Sequence, residues 1–258
     1  MSRFLGRDKS VHQATAKTGI LLTNLGTPAE PTPKALRAYL QEFLSDPRVV
    51  EIPRLVWLII LHGIILRVRP KKSAKLYQSI WSEQGSPLMV ISQALTEKVS
   101  TAIAEQYQDQ VVVDLAMRYG EPSLENALNN FQQQGISNII VLPLYPQYAG
   151  PTTGSTFDEI TNVIKRWRWV PSLHFISSYH DQPQYIRALA NTVNEHVSKH
   201  GKPDKLVLSY HGMPKLFFER GDPYYCFCHK TTRLLVEALG WQEDECIMSF
   251  QSRFGKAE

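Results

Sequence analysis

Gly19-Ile-Leu-Leu-Thr-Asn24 (GILLTN) is continuous and apolar until its last two residues. A strand with one wet face alternates apolar and polar side chains; one covered on both faces does not. The run therefore reads as the inner strand of a parallel sheet. Outward from it, short apolar runs at 111–117, 139–143, 173–176, 205–210 and 247–250 are expected as further strands. Helical patterns fall between them. Pro33 precedes a stretch carrying Leu36, Tyr39, Leu40 and Phe43. Ile91, Leu95, Val99 and Ile103 recur every four residues and predict a helix with one apolar stripe. Ser123 suits an N-cap and Gly135 a helix end, Gly201 should close a helix over 185–200, and Gly240 one over 231–239. Strand alternating with helix gives an α/β fold of doubly wound, Rossmann-like parallel sheets. A new sheet is expected to begin near residues 201–204, with domains at 1–178 and 179–258.

The 258 residues are 43% hydrophobic and 20% charged, as in a soluble globular chain. Three cysteines are too few, and odd in number, for a disulfide framework, which favours a reducing, cytoplasmic home. MSRFLGRDKS has no apolar run of the kind a secretory signal needs. A net charge of +4 is mild. Its one basic cluster, Arg67, Arg69, Lys71 and Lys72, suits an acidic surface or ligand, or plain solvent, better than nucleic acid. Leu55–Leu66 (LVWLIILHGIIL) is too short to span a bilayer. It reads either as a buried core helix or as an apolar lip that could dip into a membrane. The sequence stops eight residues past Phe250 with no crossover helix after the last strand, so the second domain is expected to be incomplete, through a partial sequence or a shortened gene.

Open α/β sheets bind ligands beyond the carboxyl ends of their strands. The residues there are Asn24; Arg118 and Tyr119; Tyr145, Gln147 and Tyr148; Ser209, Tyr210 and His211; and Gln251, Ser252 and Arg253. These are hydrogen-bonding and aromatic groups. No G-x-G-x-x-G, P-loop or G-x-S-x-G motif is present, which argues against dinucleotide, NTP and α/β-hydrolase chemistry. His211 precedes Gly212 at a strand end. A neutral imidazole there can take up a proton near pH 7 or bind a metal, although a lone strand-end histidine is more often structural. Cys226, Cys228 and His229 have the wrong spacing for a zinc knuckle and no second ligand pair nearby.

Eight segments, in order, resemble ferrochelatases: GILLTNLGTP (19–28), FLSDPRVV (43–50), KLYQSIWSEQGSPL (75–88), MRYGEPSLENAL (117–128), VLPLYPQYAGPTTGST (141–156), LSYHGMP (208–214), RGDPY (220–224) and SFQSRFG (249–255). The resemblance implies two Rossmann-like domains of chelatase type with a porphyrin between them, and ferrous iron inserted into it in haem biosynthesis. It places His211 at the family's active-site histidine, as base, metal ligand or both. It places Arg118, Tyr119, Tyr145, Gln147, Tyr148 and Ser155 against the porphyrin, and Arg69 near a propionate, which a guanidinium can grip at two oxygens. It identifies Leu55–Leu66 with the lip, a candidate peripheral membrane contact.

Two departures stand out. Where some members keep a cluster cysteine this chain has Gly150, so no [2Fe–2S] cluster is expected, nor any organic cofactor. The family's partner glutamate lies downstream of SFQSRFG, beyond Glu258, so impaired activity is expected of the chain as given. Rival readings are a non-catalytic porphyrin-binding fragment, a chelatase for another tetrapyrrole or metal, and an unstable fragment.

Overall fold

The computed structural model describes residues 4–6 and 17–252. Arg253 and the end of SFQSRFG lie outside them. In chain order the elements are β1 (Lys17–Gly26), α1 (Pro33–Ser45), α2 (Arg54–Ile60), a π-helical turn (Leu61–Ile65), α3 (Leu66–Ile80), α4 (Pro87–Tyr107), β2 (Val111–Tyr119), α5 (Leu124–Gln133) and β3 (Ile136–Pro143). Then follow α6 (Ser155–Ile164), β4 (Ser172–Phe175), α7 (Pro183–His200), β5 (Leu206–His211), α8 (Lys215–Glu219), α9 (Tyr224–Leu239) and β6 (Cys246–Gln251). Residues up to Leu144, with Gly150–Ser177, form one compact unit; Tyr145–Ala149, with Ser178 onward, form a second.

The first unit holds a parallel sheet of order β2-β1-β3-β4. β1 is central, as its unbroken apolar run predicts. Leu21 packs on one face with Leu124, Leu128 and Phe131 of α5 and Ile160 and Val163 of α6. Leu22 packs on the other with Leu115, Met117, and Leu88 and Met89 of α4. Helices on both faces with a strand order that reverses beside β1 make the unit doubly wound, with its switch point between β1 and β3. Thr32, Ser86 and Ser123 each accept a backbone N–H of the following first turn, at 3.3, 3.4 and 3.3 Å, and so start α1, α4 and α5.

The second unit pairs β5 with β6 in parallel. Gly201 closes α7, and Gly240, left-handed at φ 67°, closes α9.

Three expectations need correction. The stripe of α4 faces the core only in part: Ile91 and Leu95 are exposed, while Val99 packs on the core with Leu88 and Met89, on the face that buries Ser92. Ser92 is buried because its hydroxyl accepts the side-chain N–H of Asn24 at 3.1 Å, at the end of β1. α9 begins at Tyr224 rather than Thr231. Its first turns are aromatic and cysteine-rich, poor helix formers held by packing: Phe227 stacks on His180 with ring centroids 3.7 Å apart. Leu55–Leu66 is not a wholly buried helix. Trp57, Leu61 and Leu66 are buried, with the Trp57 indole N–H on the Leu44 carbonyl at 2.6 Å, while Leu55, Val56, Ile59 and Ile64 stand exposed. The segment therefore presents an apolar outer face.

Gly26 shows how tightly the strand ends are packed. Its φ is 105°, and a Cβ there would lie 1.8 Å from the Tyr119 carbonyl oxygen. Gly26→Ala combines backbone strain with a clash that only main-chain movement relieves, so denaturant unfolding should show a loss of at least about 3 kcal/mol. A loss below about 1 kcal/mol would mean that the strand ends are not locked in this way.

Candidate active site

In the first unit, the ends of α1 and β2 and the start of α6 converge on one carboxylate. Asp46 follows α1 and is 7% exposed. Its Oδ2 accepts three hydrogen bonds: from Arg118 Nη2 at 2.7 Å, from the Tyr119 hydroxyl at 2.9 Å and from the Ser155 hydroxyl at 2.5 Å. Its Oδ1 accepts the Arg48 backbone N–H at 2.8 Å. Arg118 Nε donates to Ser155 Oγ at 2.6 Å and to the Ser155 carbonyl at 3.0 Å. Burial alone would raise the Asp46 pKa; the bonds from Ser155, the Arg48 amide and Tyr119, with the Arg118 charge, outweigh it and hold the carboxyl below its usual value. Burial drives the Tyr119 phenol well above its ordinary range.

The structure thus brings three of the predicted residues, Arg118, Tyr119 and Ser155, onto a fourth that the strand-end rule missed. Asp46 ends a helix rather than a strand; its signal was the Asp-Pro step inside FLSDPRVV. Tyr119 and Ser155, expected against the porphyrin, are both fully buried, with their hydroxyls turned inward to Asp46. Arg69 stands exposed on α3 and takes no part in these bonds.

In the second unit, Tyr145, Gln147 and Tyr148 are partly exposed. Gln147 Nε2 donates to Thr231 Oγ1 at 3.0 Å, and that hydroxyl donates to the His180 carbonyl at 2.9 Å, which ties the YPQY loop to α9. His211 is exposed at the carboxyl end of β5. Its Nδ1 lies 2.9 Å from the Gly212 carbonyl. A carbonyl can only accept, so Nδ1 carries the proton, and in the neutral ring the Nε2 lone pair is free. Gly212 is needed here: a Cβ would meet the Gln251 carbonyl oxygen at 2.9 Å.

Cys226 is exposed, Cys228 buried and Cys246 intermediate. Among the described residues, no group of three or more His, Cys, Asp or Glu could hold a metal ion, and no helix is long and apolar enough to cross a membrane.

Polar and aromatic side chains gathered at the carboxyl ends of parallel strands define an α/β enzyme of the doubly wound class. The ferrochelatase family model matches residues 17–258. Ferrochelatase 2 of Shewanella oneidensis is 60% identical over 247 residues, spanning 96% of this chain and 75% of that protein. The ferrochelatase of Thioalkalivibrio sulfidiphilus is 54% identical over 256 residues, spanning 99% and 69%. Among solved structures, SirB from Bacillus subtilis with Fe3+ superposes with a TM-score of 0.52 at 15% identity, covering 93% of this chain and 68% of that one, which supports the fold. The chain belongs to the ferrochelatase family, lyases of haem biosynthesis that insert metal into a porphyrin.

Proposed function

We propose that the metal is ferrous iron and that His211 is the residue of this chain that acts on the porphyrin centre. The observation that carries the reading is the exposed imidazole at the end of β5, with Nδ1 spent on Gly212 and Nε2 given no hydrogen bond among the described residues.

Metallation requires the pyrrole N–H protons to leave and iron to reach ring nitrogens whose lone pairs lie in the macrocycle plane. A site that binds a bent ring more tightly than a flat one lowers that barrier. His211 Nε2 takes a pyrrole proton on its side of the ring. The imidazolium that forms keeps Nδ1–H on the Gly212 carbonyl, a bond that strengthens as the ring becomes cationic. Before that step the same lone pair can hold the incoming iron.

Tyr145, Gln147 and Tyr148 would contact the macrocycle, and Arg118 is proposed for the same role. Ser155 and Tyr119, both fully buried, would support Arg118 through Asp46. Arg69 is exposed and free to meet a propionate. Titration with porphyrin, with and without ferrous iron, tests the assignment. Binding should perturb the Soret band without iron, and iron should then convert the spectrum to that of haem. A spectrum of bound free-base porphyrin that iron leaves unchanged would reduce the chain to a porphyrin binder.

The apolar face of Leu55, Val56, Ile59 and Ile64 is proposed as a peripheral membrane contact of a cytoplasmic protein. Arg67, Lys71 and Lys72, exposed on the adjoining helix, would each add about 1 kcal/mol on an anionic surface. Ile59→Asp should weaken partition onto anionic vesicles at least about tenfold. Cosedimentation equal to that of the parent chain would remove this face from consideration.

A further inference from the structure

One member of the Cys226–His229 run is wholly buried. Cys228 is 0% exposed, and burial pushes its thiol up to about 12. Tyr224 and Cys228 stand four residues apart on α9 and so share one face. The Tyr224 hydroxyl accepts the His211 backbone N–H at 3.2 Å. Tyr224 thus reaches from the face of α9 that carries the buried Cys228 to the end of β5.

Neighbouring bonds hold the same corner. Asp222 Oδ1 accepts the Tyr224 N–H at 3.0 Å and fixes the first turn of α9. The Thr232 and Tyr210 hydroxyls meet at 3.0 Å, tying that helix to the residue before His211. Gly212 N–H donates to the Gln251 carbonyl at 2.6 Å, tying the residue after it to β6. Residues 210, 211 and 212 are therefore each anchored by a separate bond, and Tyr224 supplies the one at the histidine itself.

We infer that Tyr224 is a positioning residue for His211: its hydroxyl holds the backbone amide that sets where Nε2 points. The inference rests on the reading of His211 as the reacting residue. The imidazole is exposed and its one hydrogen bond among the described residues goes to the adjacent carbonyl. The ring's placement therefore follows the backbone, and a shift of about 1 Å at a reacting group can cost on the order of a hundredfold in rate.

The test uses the whole chain with Tyr224→Phe and Asp222→Ala, and Tyr225→Phe as a control on an exposed neighbour. Two quantities are read: exchange of the His211 amide, and kcat against KM for porphyrin. Tyr224→Phe should raise the exchange rate and lower kcat, each about tenfold, with KM within about twofold. Asp222→Ala, which loosens the turn that carries Tyr224, should fall between the parent and Tyr224→Phe. Parent-like exchange in Tyr224→Phe overturns the inference. So does faster exchange with unchanged kcat, because Tyr224 would then hold the strand without serving the chemistry. If Tyr224→Phe does not fold, Asp222→Ala decides, and parent-like exchange there counts against the inference. Failure of the His211 reading is separable: His211→Ala would retain turnover whatever the amide does.

Discussion

His211→Ala is expected to lower the rate of iron insertion by about a hundred- to ten-thousandfold, the range over which a positioned proton acceptor contributes. Porphyrin affinity should change little, since the groups proposed to grip the macrocycle lie elsewhere, on the YPQY loop and at the ends of β2 and α3. Stability should also change little, because the ring is exposed and its one described hydrogen bond joins adjacent residues. The combination matters more than the rate alone. A loss of insertion with loss of porphyrin binding would make His211 a binding residue. Near-parent insertion would remove it from the mechanism.

The second large effect is expected in stability. Asp46→Ala strips three hydrogen bonds from one oxygen and leaves the Arg118 guanidinium, with 12% of its side chain exposed, without its counter-ion. Breaking a buried pair from one side costs about 3–5 kcal/mol, because the remaining charge stays desolvated. Denaturant unfolding should show a loss in that range for Asp46→Ala. The double variant Asp46→Ala/Arg118→Ala should lose less than the sum of the single ones. Additive losses would show that the two side chains do not depend on one another.

The same carboxylate carries a pH signature. Its folded pKa lies below the ordinary 3.8. The unfolded chain therefore takes up the proton first as pH falls. The contribution is fully present above that ordinary value and is lost as pH drops from it through the folded value. The stability gap between the parent chain and Asp46→Asn should accordingly be constant at neutral pH and narrow only in that acidic window.

Much of the first unit was legible because burial on both faces writes an unbroken apolar run, and β1 has one. Ser123, Gly201 and Gly240 marked helix ends because capping is local chemistry. What local chemistry does not encode was misread. The exposure of Ile91 and Leu95 on α4 follows from Ser92 bonding Asn24, a pairing across 68 residues. The start of α9 depends on Phe227 meeting His180, again a distant partner. At the site, strand-end position pointed to Arg118, Tyr119 and His211, but not to the direction in which each side chain turns. Tyr119 points inward because Asp46, arriving from the end of α1, offers it an acceptor. Asp46 and Tyr224 escaped notice because both sit at helix termini. Each lies within a motif that carried the family resemblance, FLSDPRVV or RGDPY, which was the available signal.

The nitrogen resonances of the His211 ring, in a chain labelled at histidine, test the central claim most directly. The account predicts a neutral ring protonated at Nδ1, with an unprotonated Nε2 whose signal moves when porphyrin is added to saturation. A ring protonated at Nε2, or an Nε2 signal indifferent to bound porphyrin, would contradict it.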